Sequence, residues 1–381
     1  MDKGTRKSFE NQHLFNCFTS IEDPRVKGRC TYPLLNILVM VVCAMICGHD
    51  TWDGIASFVK LRNRWFNKII DMSFGVPSAT TFARVLSLIE PAEFERCFSK
   101  WVAQFFDLVK YDIINFDGKT LCGSARKSQG KKGIHIVNAY LAKEQVTLAQ
   151  ARVSEKSNEI KAIPQLLKPM DIKDTIITID AMGCQKGIAK LIRKKQANYV
   201  LALKKNHKRF YRKVESVFRK ADELNYKGML AHKNTLENHG HARHEKRTYT
   251  ILPSMYFFKY KPYWSDLGCI VRVESTRELH DRKETGTRYY ITSLHFNEHQ
   301  RACQAIRQHW SVENNLHWKL DVGMREDDCR ISRGNADQNL GTLRKIVLKL
   351  LEDERTFKHG IELKRLQALA STRYLRKVVG F

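Results

Sequence analysis

Two short apolar segments that each end in an aspartate constrain most strongly what this chain can fold into. Residues 112–118 read Asp-Ile-Ile-Asn-Phe-Asp-Gly, and residues 175–181 read Thr-Ile-Ile-Thr-Ile-Asp-Ala. Runs rich in isoleucine and phenylalanine that are bounded by polar residues are typical of buried strands. We therefore predict that Asp117 and Asp180 lie at the ends of two strands.

A third carboxylate, Glu313, lies in a later segment with helical spacing of apolar residues. The residues that share its predicted face are Ile306, Trp310, His317 and Leu320. An unpaired carboxylate on an apolar face is costly, so we expect a metal ion or another cation beside it. The alternatives are ordinary: a strand-end aspartate often serves a turn, and Glu313 could pair with Lys319 or Arg307 or face solvent.

Three carboxylates delivered in this way match the chemistry of phosphodiester cleavage. Two divalent ions can activate a water molecule and stabilise the leaving oxygen, and Mg²⁺ prefers carboxylate ligands and retained water. Gly118, after the first aspartate, leaves room for a backbone or a phosphate to approach. The residues after the second, Ala181, Met182 and Gly183, are similarly permissive.

The charge of the chain favours a polyanionic partner. Its 381 residues include 66 Lys and Arg against 40 Asp and Glu, a formal net charge of +26. Nucleic acid is the partner that such a surface favours, although a basic protein without a specific partner, or one bound to an anionic membrane, would show the same excess. Ten cysteines without a CxxC pair favour free thiols in a reducing cytosol.

Neither a signal peptide nor a membrane span is expected. The first residues lack the apolar stretch of a secretory signal. The most hydrophobic segment, residues 34–47, is shorter than the roughly 20 residues that span a bilayer, so we predict a buried helix there. These features favour a cytoplasmic protein.

The spacing of apolar residues predicts a mostly helical segment over residues 1–108. Predicted helices cover residues 34–47, 52–66 and 92–109, and another runs from the capping residues near Ser78 to Ile89. This last helix could be a DNA recognition helix, or the segment could be a helical bundle that supports the next domain.

From residue 109 the pattern alternates between strands and helices. Strands are predicted at residues 113–117, 134–141, 146–153, 175–180 and 198–203, and helices at 159–167 and 185–195. This pattern predicts an α/β domain with a mixed sheet, and its element order is that of ribonuclease-H-like domains.

The remaining sequence returns from strands to helices. Strand candidates at residues 247–252, 255–260, 268–273 and 288–293 predict a β-rich insertion at about 206–296. Helical patterns follow over residues 298–320 and 339–351. Residues 351–381 read as a basic helical tail.

Longer motifs resemble the DDE transposases of bacterial insertion sequences, in the branch of the H-repeat-associated proteins. The most specific runs from His309 to Val322, His-Trp-Ser-Val-Glu-Asn-Asn-Leu-His-Trp-Lys-Leu-Asp-Val, followed by Glu326-Asp327. The other matching stretches are residues 23–27, 77–82, 116–121, 155–160, 163–167, 178–185, 199–204 and 243–247. The resemblance covers nearly the whole chain.

The resemblance implies a ribonuclease-H-like catalytic domain at residues 109–350, with the β insertion inside it and a DNA-binding helical domain before it. It implies that Asp117, Asp180 and Glu313 are catalytic and bind two Mg²⁺ ions, which Mn²⁺ could replace. The partners would be double-stranded DNA, both transposon ends and target, and further copies of the chain, with no membrane.

The sequence departs from the related Tyr, Arg, Glu, Lys signature around the glutamate. His309 replaces the arginine, and Lys319 falls one position before the expected lysine. His309 could still contact a phosphate, with a charge that depends on pH near 6.5. Asp321, Glu326 and Asp327 could assist metal binding or balance Arg325 and Arg330, and we favour the second interpretation.

Several basic residues are candidates for DNA contacts. They are Lys119, Arg126, Lys127, Lys204, Lys205, Arg243, Arg247, His309 and Lys319. Arg126 and Lys127 belong to a glycine-bounded basic segment, residues 123–133, which could equally be a solvated loop. Arg243 and Arg247 share one side of a strand by period two, which is either a DNA-facing row or an ion-paired face.

A dense run of cations between Lys190 and Lys213 lacks interleaved acids, so we favour a track for the DNA backbone there.

We conclude that the sequence predicts a transposase that cleaves transposon ends and joins them to target DNA. The alternatives are a related nuclease without strand transfer and a catalytically decayed DNA-binding protein.

Overall fold

A computed structural model describes most of the chain. The described residues are 14–103, 112–121, 134–153, 159–240, 243–279 and 282–380. Within them, the strands are β1 (Ile113–Leu121), β2 (Ile134–Leu141), β3 (Val146–Val153), β4 (Ile176–Ile179), β5 (Asn198–Leu203), β6 (His232–Gly240), β7 (Arg243–Pro253), β8 (Cys269–Leu279) and β9 (Arg282–Thr292).

These nine described strands form one mixed sheet in the order β3-β2-β1-β4-β5-β9-β8-β7-β6. Strand β1 pairs antiparallel with β2 and parallel with β4, and β4 pairs parallel with β5. The mixed α/β class is as predicted, and the 3-2-1-4-5 half of the sheet fits a ribonuclease-H-like core. Because β1 and β4 are parallel neighbours, with Phe116 opposite Ile179, Asp117 and Asp180 lie next to each other. The prediction that Asp117 ends its strand is wrong, because β1 continues to Leu121 through its pairing with β2.

The insertion continues this sheet and does not form a separate one. Strand β9 pairs antiparallel with β5, placing Val200 opposite Thr292, and β6 to β9 follow as antiparallel neighbours. The predicted strand at residues 255–260 is wrong, because a short 3₁₀ helix, Ser254–Phe257, occupies its start. There Tyr260 stacks on Phe210 with ring centroids 4.3 Å apart, so packing replaces strand pairing.

The N-terminal helices precede the sheet in the chain, and the others alternate with its strands or follow them. The helices of the described chain are α1 (Leu34–Ile46), α2 (Trp52–Leu61), α3 (Asn63–Phe66), α4 (Ala79–Leu88), α5 (Pro91–Ala103), α6 (Glu159–Leu167), α7 (Lys186–Lys194), α8 (Lys208–Glu223), α9 (His299–His309), α10 (Ala336–Asp353), α11 (Ile361–Ala370) and α12 (Thr372–Val379). None of the helices in this part of the chain is long and apolar enough to cross a membrane.

Most predicted helices agree with these bounds. Ser78 caps α4 as predicted, since its side chain accepts a hydrogen bond from the Thr81 N–H at 3.2 Å. The predicted helix over residues 52–66 is two helices, which meet at Arg62. Helix α8 was not predicted, although its buried residues Phe210, Val214, Phe218 and Ala221 repeat at helical spacing.

The N-terminal and C-terminal helices pack together in a continuous apolar core. Helix α10 is largely buried and contacts α1, α4, α5, α11 and α12. Asn339 in α10 donates hydrogen bonds to the carbonyls of Leu86 and Ile89, both at 2.9 Å. The described part of the predicted helical domain, residues 14–103, therefore shares its core with residues far downstream.

Two cations of the predicted basic tail are buried. Arg365 forms an ion pair with Asp50 at 2.7 Å and donates to the Met45 carbonyl. Lys364 donates to the carbonyl of Leu351 at 2.7 Å. These two side chains fasten the C-terminal helices to the rest of the fold and do not add to its basic surface, whereas Arg376 and Lys377 remain exposed.

Candidate active site

The three predicted catalytic acids line one cavity of about 710 Å³. Asp117 comes from β1, Asp180 follows β4, and Glu313 comes from the segment after α9. The cavity is also lined by Lys204, Lys205, Tyr211, Arg288, Tyr289, Tyr290, His309, Trp310 and His317, among others. Acids and bases that are far apart in sequence thus face the same space.

The backbone after β4 fixes the orientation of Asp180. Its Oδ1 accepts hydrogen bonds from the N–H groups of Met182 at 3.0 Å and Gly183 at 3.2 Å. A Cβ at Gly183 would collide with the side chain of Ile179, so only glycine allows this close turn. The turn leaves the other carboxylate oxygen available for the cavity.

The space beside Gly118 is filled by protein. A Cβ at this position would collide with Glu159 and His135. These two buried side chains form a short hydrogen bond, and His135 Nδ1 also lies 2.8 Å from Thr120 Oγ1. The prediction that Gly118 leaves room for a phosphate is therefore wrong, because a buried histidine–glutamate pair occupies that room.

A buried polar network joins the two aspartate-bearing strands to α9. Thr178 Oγ1 donates to Asn115 Oδ1 at 2.6 Å and lies 2.8 Å from His309 Nδ1. Since the hydroxyl has a single hydrogen, His309 donates the second bond. Asn115 Nδ2 donates to the Gln308 carbonyl at 3.0 Å, so the network holds the helix that precedes Glu313 against the sheet.

The sequence reasoning missed Asn115 and Thr178, although a signal was present. Each lies two residues before a predicted catalytic aspartate, and the two are direct partners in the parallel ladder. Period two places them on the same sheet face as Asp117 and Asp180. Polar residues at both positions of otherwise apolar strands indicate that this face carries a site.

Glu313 does not lie on a buried apolar face as predicted. Residues Val312–His317 and Lys319–Gly323 form π-helical turns, whose wider turn rotates side chains away from the α-helical register. Leu316 and Leu320 are buried, whereas Glu313 is exposed to the cavity. Short π segments are frequent at functional sites.

Negative charge accumulates at the acidic end of the cavity. Burial, together with the charges of Asp180, Glu313 and Glu159, raises the pKa of Asp117 to about 7, although a hydrogen bond from the Gly118 N–H opposes the shift. A cation placed among these groups would favour the ionised form of Asp117. The electrostatics therefore suit a bound metal ion.

The donor set fits a hard divalent cation. Carboxylate oxygens are the protein ligands that Mg²⁺ prefers, and Asp117, Asp180 and Glu313 supply them from three elements. In the described part of the chain, no three histidine, cysteine, aspartate or glutamate side chains are grouped so that they could hold a metal as they stand. Binding would require these side chains to move closer together.

Two of the predicted DNA-contacting lysines lie at this site. Lys204 and Lys205 are exposed and line the cavity directly after β5. Arg247 lies in an adjoining cavity of about 450 Å³ that it shares with Arg277 and Arg288. The two cavities have Arg288, Tyr290, Trp310 and Glu313 in common, so basic groups extend from the acids along the insertion.

Lys119 and Lys319 are bound to acids within the fold. Lys119 is almost buried and forms ion pairs with Asp321 and with Glu326, the latter at 2.9 Å. Lys319 pairs with Glu352 at 2.6 Å and lines a different cavity. Asp321 and Glu326 do balance a cation, but the predicted cations, Arg325 and Arg330, are wrong, because both acids pair with Lys119.

The two histidines of the cavity are neutral at pH 7. Burial lowers the pKa of His309 to about 4. Burial, with the nearby charges of Lys119 and Lys345, lowers the pKa of His317 to about 4 as well. The expected titration of His309 near pH 6.5 is therefore wrong, and a phosphate contact by its charged form is disfavoured.

The other basic candidates are distributed differently. Arg126 and Lys127 lie outside the described residues, as does the side chain of Arg243. In the dense basic run, Arg193 pairs with Asp266 at 2.8 Å and Lys195 donates to the Met170 carbonyl. The predicted DNA track there thus contains some cations that already have partners.

Comparisons with known proteins identify the family. The family model described as "Transposase DDE domain" matches residues 109–350, and a model described as "DDE_Tnp_1-associated" matches residues 15–102. The chain is 37% identical to "Putative transposase YncI" of Escherichia coli O157:H7 over 97% of this chain and 94% of that protein. It is 36% identical to "H repeat-associated putative transposase YhhI" of Escherichia coli K12, over 97% and 98% respectively.

The chain also aligns with a solved structure, "Cryo-EM structure of piggyBac transposase synaptic complex with hairpin DNA (SNHP)". The TM-score is 0.37 at 14% identity, and the alignment covers 96% of this chain and 84% of that one.

The family models and the relatives that match over nearly their whole length decide the family. The chain belongs to the DDE transposase family, in the branch of the H repeat-associated proteins, and the resemblance found in its sequence is confirmed.

Proposed function

We propose that this protein is an active transposase that cuts DNA at the ends of its element and joins them to target DNA. The observation that carries the proposal is the convergence of Asp117, Asp180 and Glu313 on one cavity. Asp117 lies within β1, Asp180 directly follows β4, and Glu313 lies in a π-helical turn. Family membership and the charge of +26 support the same function.

In this proposal the three carboxylates hold divalent metal ions, Mg²⁺ or Mn²⁺. The three side chains would hold two such ions, which would supply an activated nucleophile and stabilise the leaving oxygen of a phosphodiester. The protein contributes position: the Asp180 turn and the network of Asn115, Thr178 and His309 fix where the acids stand. Positioning of this kind contributes a large share of rate enhancement in phosphoryl transfer.

The cations of the cavity would bind the DNA backbone. Lys204 and Lys205 line the same cavity as the acids. Arg288 lies over the Trp310 ring with its guanidinium 4.3 Å from the ring centroid. An aromatic ring with an arginine on its face offers a surface for nucleotides as well as for phosphates. Two copies of the chain would be needed to bring two element ends together.

The test is cleavage of a labelled DNA that carries the element's own terminal repeat, with Mg²⁺ or Mn²⁺. Wild type is compared with Asp117→Ala, Asp180→Ala and Glu313→Ala, and with Asp321→Ala as a control from outside the acidic triad. We expect metal-dependent nicking at the repeat boundary that is lost in the three triad variants and retained in the control. Tight binding without cleavage by wild type would instead indicate a decayed DNA-binding protein.

Transposition and simple nuclease activity differ in the second step. When the cleaved end carries a 3′-hydroxyl and target DNA is added, a transposase yields a joined product. Cleavage without any joined product would favour the related nuclease. Cleavage that survives Glu313→Ala would remove Glu313 from the site.

A further inference from the structure

His317 lines the cavity beside the three acids, and the proposed function gives it no role. It lies four residues after Glu313 in the same π-helical turn, and both side chains line the cavity that contains Asp117 and Asp180. Its Nδ1 is 3.7 Å from Asp117 Oδ2. The helix segment that supplies one acid therefore also contacts the acid of strand β1.

The two ring nitrogens of His317 have different surroundings. Nδ1 faces the Asp117 carboxylate, whereas Nε2 is buried and has no hydrogen-bond partner among the described residues. The charges of Lys119 and Lys345 act on the ring, and each of these ammonium groups donates to other acceptors, Lys119 to Glu326 at 2.9 Å and Lys345 to Asn138 at 2.6 Å.

These surroundings select one tautomer of the neutral ring. A ring with its proton on Nδ1 directs an N–H at the negative carboxylate and leaves the electron pair of Nε2 in the positive field of the lysines. The other tautomer would direct a lone pair at the carboxylate and leave a buried N–H unpaired. The geometry therefore favours Nδ1–H as the donor.

We propose that His317 is a positioning residue that donates its Nδ1–H to Asp117 Oδ2 and thereby orients the other oxygen of this carboxylate towards the metal. The inference rests on the proposed metal site. The distance of 3.7 Å exceeds an ordinary hydrogen bond by less than 1 Å, and catalytic contacts commonly shorten when the ligand is bound. A small movement of the π-helical turn would close it.

The consequence is a link between the two halves of the site. The π-helical turn supplies Glu313 as a metal ligand, and its His317 orients Asp117, the ligand from β1. One element therefore positions both carboxylates. Partners that orient a metal-binding carboxylate typically change metal affinity by about 10- to 100-fold when they are removed. The expected effect on metal binding is therefore measurable without DNA.

The test compares three substitutions that differ in where they place a donor. The amide nitrogen of asparagine falls near the position of histidine Nδ1, whereas that of glutamine falls near Nε2. Mn²⁺ affinity of the full-length protein is measured by electron paramagnetic resonance for wild type, His317→Asn, His317→Gln and His317→Ala. The exposed His359, which lines a different cavity, supplies the control His359→Ala.

We expect His317→Ala and His317→Gln to weaken Mn²⁺ binding by about tenfold, and His317→Asn to stay within about threefold of wild type. Equal affinities in all variants, or an asparagine variant as weak as the alanine variant, would overturn the inference. Urea denaturation of the same proteins separates this pattern from a loss of stability, which would not be rescued by asparagine alone.

Asp117→Asn in the same titration separates this inference from the proposed function. Loss of Mn²⁺ binding in Asp117→Asn, with unchanged binding in His317→Ala, would refute only the role of His317. Unchanged binding in Asp117→Asn, or a wild type that binds no Mn²⁺, would refute the metal site and the inference with it.

Discussion

Replacing Thr178 by valine tests how the fold holds the site, because it removes one hydroxyl and almost nothing else. Valine keeps the shape of threonine, and Thr178 is 1% exposed, so no cavity of importance forms. The hydroxyl makes two contacts, to Asn115 at 2.6 Å and to His309 at 2.8 Å. Both partners would lose a bond in a place that water reaches poorly.

The expected cost follows from these two bonds. A hydrogen bond contributes about 1 kcal/mol net, and a buried group left without a partner costs about 1–3 kcal/mol. Asn115 is fully buried; its Nδ2 keeps its bonds to the Gln308 carbonyl at 3.0 Å and to Ser311 Oγ at 3.5 Å, but its Oδ1 loses the Thr178 hydroxyl. We therefore expect Thr178→Val to lower the free energy of unfolding by about 2–4 kcal/mol, with a larger relative loss of DNA cleavage because α9 is no longer fixed before Glu313.

The assay is urea denaturation together with cleavage of the terminal-repeat DNA. Thr147→Val is the matched control, since Thr147 is also buried in a strand and its hydroxyl has no hydrogen-bond partner in the part of the chain that the structure describes. The control should be neutral or slightly stabilising. If Thr178→Val costs no more than Thr147→Val and cleaves DNA normally, the network does not hold the site.

Three further predictions concern the surroundings of the site and its charges. Gly118→Ala should destabilise the protein by about 1–3 kcal/mol because the new methyl group meets Glu159 and His135. The control Gly187→Ala should be neutral or stabilising, because a Cβ there meets no described atom within 4 Å. Equal stabilities of the two variants in urea denaturation would contradict this prediction. Although burial acts to raise it, hydrogen bonds from Thr356, Tyr374 and Phe357 lower the pKa of Glu354 to about 2. Because this folded-state pKa lies below the unfolded value of about 4.3, the stabilisation by Glu354 is complete above pH 4.3 and is lost as pH falls towards 2. Glu354→Gln should lower the free energy of unfolding by about 3 kcal/mol at pH 7. If wild type and Glu354→Gln differ in stability by the same amount at pH 7 and pH 3, the lowered pKa of Glu354 is refuted. Replacing Lys204 and Lys205 together by alanine should reduce the slope of log K against log salt for DNA binding by about 2, and an unchanged slope would show that neither lysine meets a phosphate.

That Asp117 and Asp180 face the same cavity could be predicted from the sequence, because their positions depend on the local pattern of two neighbouring strands. Each aspartate follows a short apolar run, and the parallel pairing that brings Asp117 beside Asp180 follows from the order of the elements. Glu313 could be recognised as unusual from its neighbours, but its actual orientation could not, because a π-helical turn is set by tertiary packing and leaves no helical period in the sequence.

The contacts of the basic residues were poorly predicted, for a physical reason. Lys119, Lys319 and Arg365 are strong candidates for DNA contacts or a basic surface by composition, yet each pairs with an acid more than 30 residues away. Whether a cation is free or paired depends on such distant partners. Local spacing therefore identifies where positive charge occurs and not what it contacts.

The most direct test of the central claim is whether Asp117, Asp180 and Glu313 contact the metal that supports DNA cleavage. Each is replaced by cysteine, and cleavage of terminal-repeat DNA is measured in Mg²⁺ and in Mn²⁺. A thiolate is a poor ligand for Mg²⁺ and a better one for softer ions, so we predict loss of cleavage in Mg²⁺ and partial recovery in Mn²⁺ for at least one of the aspartate positions. Cleavage in Mg²⁺ by all three variants, at the rate of wild type, would contradict the account.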